Sequence, residues 1–221
     1  MADTVVVLSG GLDSATLLYH LRAEGQTLRT LSFDYGQRHA ARELACAECL
    51  AADLDLDWRR IDLSSLASAF GRNALTDYSV AVPAGAYAPD MMAQTLVPNR
   101  NMVLLSVALS WAIATGSRAV AFGAHAGDNS PYPDCRPEFA AAMDAAARVC
   151  HDPPVRVLAP FVTWSKAEIV ARGAELGVPF ERTWSCYRGG ALHCGECGTC
   201  LDRKGAFRGA GLPDPTEYAA G

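Results

Sequence analysis

The sequence predicts an α/β protein with an open, mostly parallel sheet, helices on both faces and a small C-terminal module built around four cysteines. Short β-branched runs alternate with helical patterns, which is typical of consecutive βαβ units. A glycine turn joins the first such run to a helix, and four of the eight cysteines fall between residues 186 and 200. With 221 residues, half of them hydrophobic and 19% charged, the chain can build one core and a small appendage.

The predicted elements follow one another without an internal repeat. Residues 5–8 form an unbroken apolar run, as in a strand that is buried on both faces, and Leu17, Leu18 and Leu21 follow at helical spacing. The further strands are predicted at 28–33, 58–63, 119–123 and 155–158, and the further helices at 40–53, 99–115 and 138–149. A further helix follows Ser165 as its N-cap, where Ser165 and Glu168 fit a capping box.

Two polar segments, 73–98 and 124–137, are long for loops of a compact domain, and we expect them to be functional. The composition changes at Trp184, after which glycines and cysteines dominate. We therefore predict two units: an α/β domain over 1–183, and a four-cysteine module with a C-terminal helix and tail over 184–221.

Charge and hydropathy favour a soluble cytoplasmic protein. Lys+Arg 19 against Asp+Glu 24 gives a net charge of −5, which counts against binding along a nucleic-acid backbone. The first residues lack the basic region of a signal peptide. The longest apolar stretch, 102–114, is interrupted by two serines and is too short to span a bilayer. We expect neither nucleic acid nor membrane as a partner.

The segment Ser9-Gly-Gly-Leu-Asp-Ser14 lies between the first strand and the first helix. Backbone N–H groups at such a turn, aided by the helix dipole, bind phosphate without cationic side chains. The sequence is neither a P-loop, because the terminal Gly-Lys-Ser/Thr is missing, nor a dinucleotide fingerprint, because the third glycine is missing. A tight turn with Asp13 or Ser14 capping the helix would explain the same residues.

Cys186, Cys194, Cys197 and Cys200 are spaced C-x7-C-x2-C-x2-C. Four thiolates this close can surround one tetrahedral metal, and structural zinc prefers such closed sites. An iron–sulfur cluster or four buried free thiols stay open as alternatives. Cys46 and Cys49 form a second C-x2-C within a predicted helix, where core packing explains them best.

Further segments run in order with these two motifs over nearly the whole chain. They are Phe33-Asp-Tyr-Gly-Gln-Arg-His39, Ala74-Leu-Thr-Asp77, Val97-Pro-Asn-Arg-Asn101, Tyr132-Pro-Asp-Cys-Arg136, Lys166-Ala-Glu168 and Thr183-Trp-Ser-Cys-Tyr187. Together they resemble the 7-cyano-7-deazaguanine synthases, the nitrile-forming queuosine-biosynthesis family of the PP-loop ATP pyrophosphatases. The chain departs from that family's common pattern at Asn99, where glycine is usual, at 126–128, where an acidic segment is usual, and at Arg188, where asparagine is usual.

The resemblance implies a Rossmann-like sheet of the PP-loop, adenine nucleotide alpha-hydrolase type and an ATP-dependent C–N ligase. It implies that 7-carboxy-7-deazaguanine and ammonium become 7-cyano-7-deazaguanine through an adenylated carboxylate and an adenylated amide, releasing AMP and pyrophosphate. ATP, Mg2+ and a structural Zn2+ would be the cofactors, and a homodimer the assembly.

The resemblance also implies roles for individual residues. The ATP-binding residues would be Leu8, Ser9, Gly10, Gly11, Leu12, Asp13 and Ser14. The catalytic residues would be Asp13, Ser14, Arg38 and Lys166. The substrate would be bound by Tyr35, Gln37, Arg38, Arg100, Asn101, His125, Tyr132, Asp134 and Arg136. Structural explanations compete with several of these roles, among them an Asp134–Arg136 ion pair that stabilises the loop and a hydrogen-bonded structural role for His125.

Three alternative functions remain open at this stage. The same adenylated carboxylate can be joined to another amine and stop at the amide. A tRNA-modifying PP-loop enzyme is a second alternative, which the net charge of −5 disfavours. A non-catalytic nucleotide-binding module stabilised by zinc is the third.

Overall fold

The computed structural model describes residues 3–85, 93–128 and 132–219. Its sheet has five parallel strands in the order β3-β2-β1-β4-β5. The strands are β1 Thr4–Val7, β2 Leu28–Asp34, β3 Trp58–Asp62, β4 Ala119–Ala121 and β5 Arg156–Leu158. The parallel sheet and its flanking helices confirm the predicted fold class.

Six helices connect and flank these strands in the described residues. They are α1 Leu12–Ala23, α2 Ala40–Asp53, α3 Arg100–Thr115, α4 Pro137–Val149, α5 Lys166–Glu175 and α6 Gly198–Gly209. The predicted capping box at Ser165 and Glu168 is confirmed, because each side chain binds the backbone of the other residue. Most element ends lie within one or two residues of the predicted positions.

The two faces of the sheet are covered by different helices. On one face, α3 and α4 bury residues such as Leu105 and Met143 against Val5 and Val120. On the other face, α1, α2, α5 and α6 enclose a cluster that includes Leu17, Leu50, Ile169 and Phe207. Since the C-terminal helix α6 packs into this second cluster, the four-cysteine module shares a core with the sheet.

One described segment, Ala93–Thr115, is long and apolar enough to cross a membrane by length and composition alone, with a mean hydropathy of 1.2. It is longer than the stretch singled out in the sequence because it includes the residues that precede α3. Core helices of soluble proteins pass the same test. Of its most apolar window, 28% is buried, and helix α3 buries Leu104, Leu105, Ala108 and Leu109 in the core.

The chain order places a topological switch point beside β1. Strands β2 and β3 extend the sheet on one side of β1, and β4 and β5 extend it on the other. Open parallel sheets bind ligands at the carboxyl ends of the strands at such a point. The glycine turn follows β1 directly, so the fold puts Ser9–Ser14 at this position.

The first long polar segment reaches across to the cysteine module. Ala84 forms an isolated antiparallel bridge with Cys197, and Gly85 N–H donates to the Glu196 carbonyl oxygen at 2.8 Å. Residues 86–92 of this segment and 129–131 of the second polar segment lie outside the described residues. The described part of the first segment thus ties the module to the sheet domain.

Candidate active site

The glycine turn is packed tightly against helix α2. Gly10 has a φ of +80°, and a Cβ added there would lie 2.2 Å from the Glu43 carbonyl oxygen. Only glycine combines this left-handed conformation with so close an approach. Gly10 therefore serves both the turn and its packing.

Two serines close the turn on itself. The Ser9 N–H donates to Ser14 Oγ at 3.2 Å, the two hydroxyl oxygens lie 3.0 Å apart, and Ser14 Oγ donates to the Gly11 carbonyl oxygen at 3.1 Å. Gly11 is the N-cap of α1 and receives no side-chain cap. The alternative in which Asp13 or Ser14 caps the helix is therefore wrong: both residues lie inside its first turn, where the backbone N–H groups lack intrahelical acceptors.

Asp13 is the charged centre of the site. Its Oδ2 lies 3.4 Å from Lys166 Nζ and 3.7 Å from His125 Nε2. Burial raises the pKa of a carboxyl, but Lys166, with a smaller contribution from His125, outweighs that effect and holds the pKa of Asp13 below its usual value. Asp13 Oδ1 is buried and makes no hydrogen bond within the described part of the chain, so it can accept one from a ligand or coordinate a cation.

A cavity of about 230 Å³ opens at the turn. Ser9, Gly11, Leu12, Asp13 and Ser14 form one part of its wall, together with Lys166. The opposite part contains five of the predicted substrate residues: Tyr35, Gln37, Arg100, Asn101 and Tyr132. Trp184, Ser185 and Tyr187 of the cysteine module complete the wall. The fold thus brings the glycine turn and most of the predicted substrate residues to one cavity.

Two of these predicted substrate residues, Arg100 and Tyr35, form a cation–π pair. Arg100 Nη1 donates to the Tyr35 hydroxyl oxygen at 3.2 Å, and its guanidinium lies 5.7 Å from the centre of that ring. Gln37 is held rigidly, because its Oε1 accepts from Tyr35 N–H and its Nε2 donates to the Phe33 carbonyl oxygen. The wall at the end of β2 is therefore preorganised.

Four predicted substrate residues do not line the cavity: Arg38, His125, Asp134 and Arg136. The Arg38 guanidinium donates to the carbonyl oxygens of Asp77 and Val80 at 2.9 and 2.7 Å. His125 is buried behind Asp13, where its Nδ1 accepts from Gly127 N–H. Arg136 is the N-cap residue of α4.

Asp134 instead completes the start of α3. Its Oδ2 accepts from the Asn101 N–H at 3.0 Å, and its carbonyl oxygen accepts from Asn101 Nδ2 at 2.9 Å. A carboxylate at a helix N-terminus satisfies a free donor and complements the dipole. Asp134 therefore acts on the cavity through Asn101.

The sequence predictions missed several cavity residues, including Glu43, His39, Thr95 and Val97. Glu43 Oε2 accepts from Gln37 Nε2 at 3.2 Å, and Oε1 lies 3.6 Å from His39 Nε2. Burial lowers the pKa of His39, so its ring is neutral near pH 7. His39 and Glu43 are four residues apart at the start of a helix, and this spacing is the sequence signal from which their contact could have been predicted.

The cysteine module contains a tight four-sulfur cluster. The Sγ atoms of Cys186, Cys194, Cys197 and Cys200 all lie within 4.8 Å of one another. Tetrahedral zinc with Zn–S bonds of about 2.3 Å needs sulfurs about 3.8 Å apart, and Cys194 Sγ and Cys200 Sγ are 3.9 Å apart. The cluster can therefore hold a metal ion with all four positions closed.

Cys46 lies on α2 and also packs against this module. Burial raises the pKa of Cys46 to about 11, which makes it an unreactive packing residue as predicted. Cys49, in contrast, is exposed. The core-packing interpretation is wrong for Cys49, because α2 buries Leu44, Ala47, Leu50 and Ala51 and leaves Cys49 exposed.

The module also holds the glycine turn in place. The Trp184 N–H donates to the Gly10 carbonyl oxygen at 2.9 Å. The completely buried Arg203 of α6 donates to Thr183 Oγ1 at 2.8 Å and to the Phe180 carbonyl oxygen at 2.7 Å. The segment that leads into the first metal-binding cysteine is thus hydrogen-bonded to the turn on one side and to α6 on the other.

The parallel sheet with a Ser-Gly-Gly turn at its switch point defines the class, an α/β protein with the PP-loop fold. Solved structures share this fold. A 4-thiouridine synthetase in an RNA complex with bound ATP aligns with a TM-score of 0.53 at 18% identity over 80% of this chain and 41% of its own. The U34-tRNA thiolase NcsA from Methanococcus maripaludis aligns with a TM-score of 0.50 at 12% identity over 94% of this chain and 66% of its own.

Sequence comparison identifies the family. The family described as "Queuosine biosynthesis protein QueC" matches residues 3–211. The 7-cyano-7-deazaguanine synthase of Marinobacter nauticus is 46% identical over 99% of this chain and 98% of its own length, and that of Paracoccus denitrificans is 48% identical over 97% and 92%. The chain belongs to the QueC family of queuosine biosynthesis enzymes, and the predicted resemblance is confirmed.

Proposed function

We propose that the enzyme converts 7-carboxy-7-deazaguanine and ammonium to 7-cyano-7-deazaguanine, with two ATP cleaved to AMP and pyrophosphate. The cavity is the observation that carries this proposal. Its wall joins the phosphate-binding turn after β1 to the polar residues after β2 and at the start of α3. A carboxylate on that wall can reach the α-phosphate of an ATP seated on the turn.

In the first stage, a carboxylate oxygen of the substrate attacks the α-phosphorus of ATP. The bond from the α-phosphorus to the bridging oxygen breaks, and pyrophosphate leaves. Ammonia then attacks the acyl carbon, AMP leaves with the former carboxylate oxygen, and a proton is lost to give the amide. Adenylation provides a better leaving group, because AMP leaves readily whereas the oxygen of an unactivated carboxylate does not.

In the second stage, the amide oxygen attacks the α-phosphorus of a second ATP. Loss of AMP and of the two amide protons then leaves the nitrile. Both stages use the same reaction at phosphorus, so one phosphate site serves twice. The N–H groups of the glycine turn hold the departing pyrophosphate in each stage.

We assign direct contacts to the predicted residues on the cavity wall. The ATP phosphates contact the turn residues and Lys166, and the deazaguanine and its carboxylate contact Tyr35, Gln37, Arg100, Asn101 and Tyr132. Arg38, His125, Asp134 and Arg136 act indirectly, because none of them lines the cavity. His125 supports Asp13, and Asp134 supports Asn101.

The site fits a magnesium ion at Asp13. The buried Asp13 Oδ1 has no hydrogen bond within the described residues, and carboxylate oxygen is a preferred ligand of Mg2+. When bound, Mg2+ offsets the negative charge of the phosphates. Lys166 contributes a second positive charge at the same wall.

We assign zinc to the four-cysteine cluster, in a structural role. Four thiolates within 4.8 Å of one another repel each other, so they need a cation to coexist. Four protein ligands leave no coordination position for substrate. The boundary at residue 184, the homodimer and the cytoplasmic location stay predictions.

An end-point assay tests the proposed function. The protein is incubated with 7-carboxy-7-deazaguanine, ammonium, ATP and Mg2+, and the products are identified by mass spectrometry. A nitrile with two AMP formed per nitrile is the expected result. An amide that accumulates without nitrile contradicts the proposal and directs the search to another amine acceptor. Absence of any AMP contradicts ATP-dependent activation.

A further inference from the structure

Asp202 links the metal module to the phosphate end of the cavity. It lies in the first half of α6, two residues after Cys200, and its side chain is about one-third exposed, at 32%. Its Oδ2 accepts a hydrogen bond from Lys166 Nζ at 2.6 Å. The two residues are separated by 36 positions in the chain, so the contact depends on the packing of α6 against α5.

Lys166 contacts two carboxylates, those of Asp202 and Asp13. Its Nζ lies 2.6 Å from Asp202 Oδ2 and 3.4 Å from Asp13 Oδ2, and its side chain is only 16% exposed. Lys166 is also the first residue of α5, where the helix dipole disfavours a cation. Attraction from the two carboxylates offsets that effect and keeps the ammonium at the cavity wall.

The two carboxylates have different tasks once ATP is bound. Asp13 lines the cavity and contacts the phosphate or its counter-ion, whereas Asp202 does not line the cavity. A lysine side chain has four flexible methylene groups, and an ammonium held by one fixed partner loses less freedom when it binds phosphate. Asp202 can therefore orient Lys166 without contacting a reacting atom.

We propose that Asp202 is a positioning residue that holds Lys166 against the phosphates of ATP. This inference rests on the proposed function, because it assigns Lys166 to the adenylation step. Through Asp202, the helix that carries the last metal-binding cysteine controls the placement of a charge in the ATP site. The role is distinct from folding the module.

The test uses isotope exchange between pyrophosphate and ATP with 7-carboxy-7-deazaguanine and without ammonium, which isolates the first adenylation. Asp202→Asn keeps the shape and removes the charge. We expect kcat for exchange to fall roughly 10-fold or more, while the KM for the deazaguanine stays within twofold. An unchanged or increased kcat would overturn the proposal, since Asp202 would then only hold Lys166 away from the phosphates.

A double-mutant cycle shows whether Asp202 acts through Lys166. Lys166→Met is combined with Asp202→Asn, and the four exchange rates are compared. We expect the Asp202 substitution to change the rate by less than twofold when Lys166 is already replaced. The same loss in both backgrounds would contradict a positioning role.

Glu196→Gln is the matched control on the same module. Glu196 forms an ion pair with Arg188 next to the cysteine cluster and lies outside the cavity lining, so its loss should leave the exchange rate unchanged. Metal content and thermal unfolding are measured for every variant, with Asp202→Ser as a second replacement. If both Asp202 variants lose the metal, Asp202 is a structural residue of the module and the inference fails.

The wild-type reaction separates the two proposals. If the wild-type protein catalyses no exchange, the proposed adenylation fails, and the inference fails with it. If the wild type is active and the Asp202 variants match it, the inference alone fails.

Discussion

Gly10 shows at the scale of one residue how the glycine turn depends on a missing side chain. A methyl group at this position would lie 2.2 Å from the Glu43 carbonyl oxygen, with φ at +80°. Gly10→Ala should therefore lose pyrophosphate exchange. It should also lower the free energy of unfolding through left-handed strain of about 1–2 kcal/mol and overpacking of about 1–3 kcal/mol. Urea denaturation and the exchange assay measure the two effects.

Gly25→Ala is the matched control for that prediction. Gly25 has the same φ of +80°, but an added Cβ would meet nothing within 4 Å. Its substitution should cost only the left-handed strain and leave exchange intact. Equal losses of stability and of exchange activity at the two positions would show that crowding by α2 has no role.

Asn99 has a left-handed backbone conformation at the start of α3. It has a φ of +57° and is the N-cap of α3, a conformation that glycine and asparagine adopt more easily than other residues. Asn99→Gly should keep the free energy of unfolding within about 0.5 kcal/mol, whereas Asn99→Ala should lower it by about 1 kcal/mol. Urea denaturation of both variants checks this, and an alanine variant as stable as the glycine variant would argue against a conformational constraint.

Helix α4 illustrates at the element scale how one carboxylate fixes a helix to a strand. Asp144 Oδ1 accepts from Arg156 Nε at 2.7 Å and from Val157 N–H at 2.9 Å, both in or beside β5. Partial burial acts in the opposite direction, but these hydrogen bonds lower the pKa of Asp144 from 3.8 to about 2. A carboxyl with a depressed pKa stabilises the fold above its unfolded pKa and loses that effect as the pH falls.

The wild type should therefore lose part of its stability between about pH 4 and pH 2 through Asp144. Asp144→Asn should unfold at a lower temperature near pH 7, and its melting temperature should vary less across that acid range. Asp57→Asn, which removes an exposed ion pair with Arg29, is the control and should follow the wild type. Parallel curves for all three proteins would exclude Asp144 as the cause.

At the element scale, local patterns predicted the helices and strands well. Helix α2 was predicted at its observed bounds, because its apolar residues recur at helical spacing between polar turns. Strand β4 is shorter than predicted and ends at Ala121. Gly123, which was assigned to it, lies against the backbone of Asp13 and Ser14, a contact that local periodicity does not contain.

On the scale of the whole molecule, the four-cysteine module contacts both the glycine turn and the first long polar segment. The Trp184 N–H holds Gly10, and Cys197 is bridged to Ala84. Removing the metal with a chelator should therefore lower the melting temperature and abolish pyrophosphate exchange together. Cys197→Ser should give the same result, because a structural site with three thiolates holds zinc less firmly.

Cys150→Ser provides the control, because Cys150 is exposed and lies at the end of α4, away from the cluster. It should keep one metal per chain by elemental analysis, together with wild-type exchange and melting. A metal-free protein with full exchange activity would contradict the predicted coupling. A coloured metal-bound protein would favour an iron–sulfur cluster over zinc.

By itself, the sequence determined the order of strands and helices, the glycine turn after the first strand and the cluster of four cysteines. Each of these depends on residues close together in the chain, where periodicity, turn chemistry and ligand spacing are directly visible. Only the tertiary structure decided which side chains share the cavity. It brought in Glu43, turned Arg38 to the loop carbonyls of Asp77 and Val80, and joined Asp202 to Lys166. These contacts connect residues 36 or more positions apart or depend on side-chain direction, and long-range packing alone sets both.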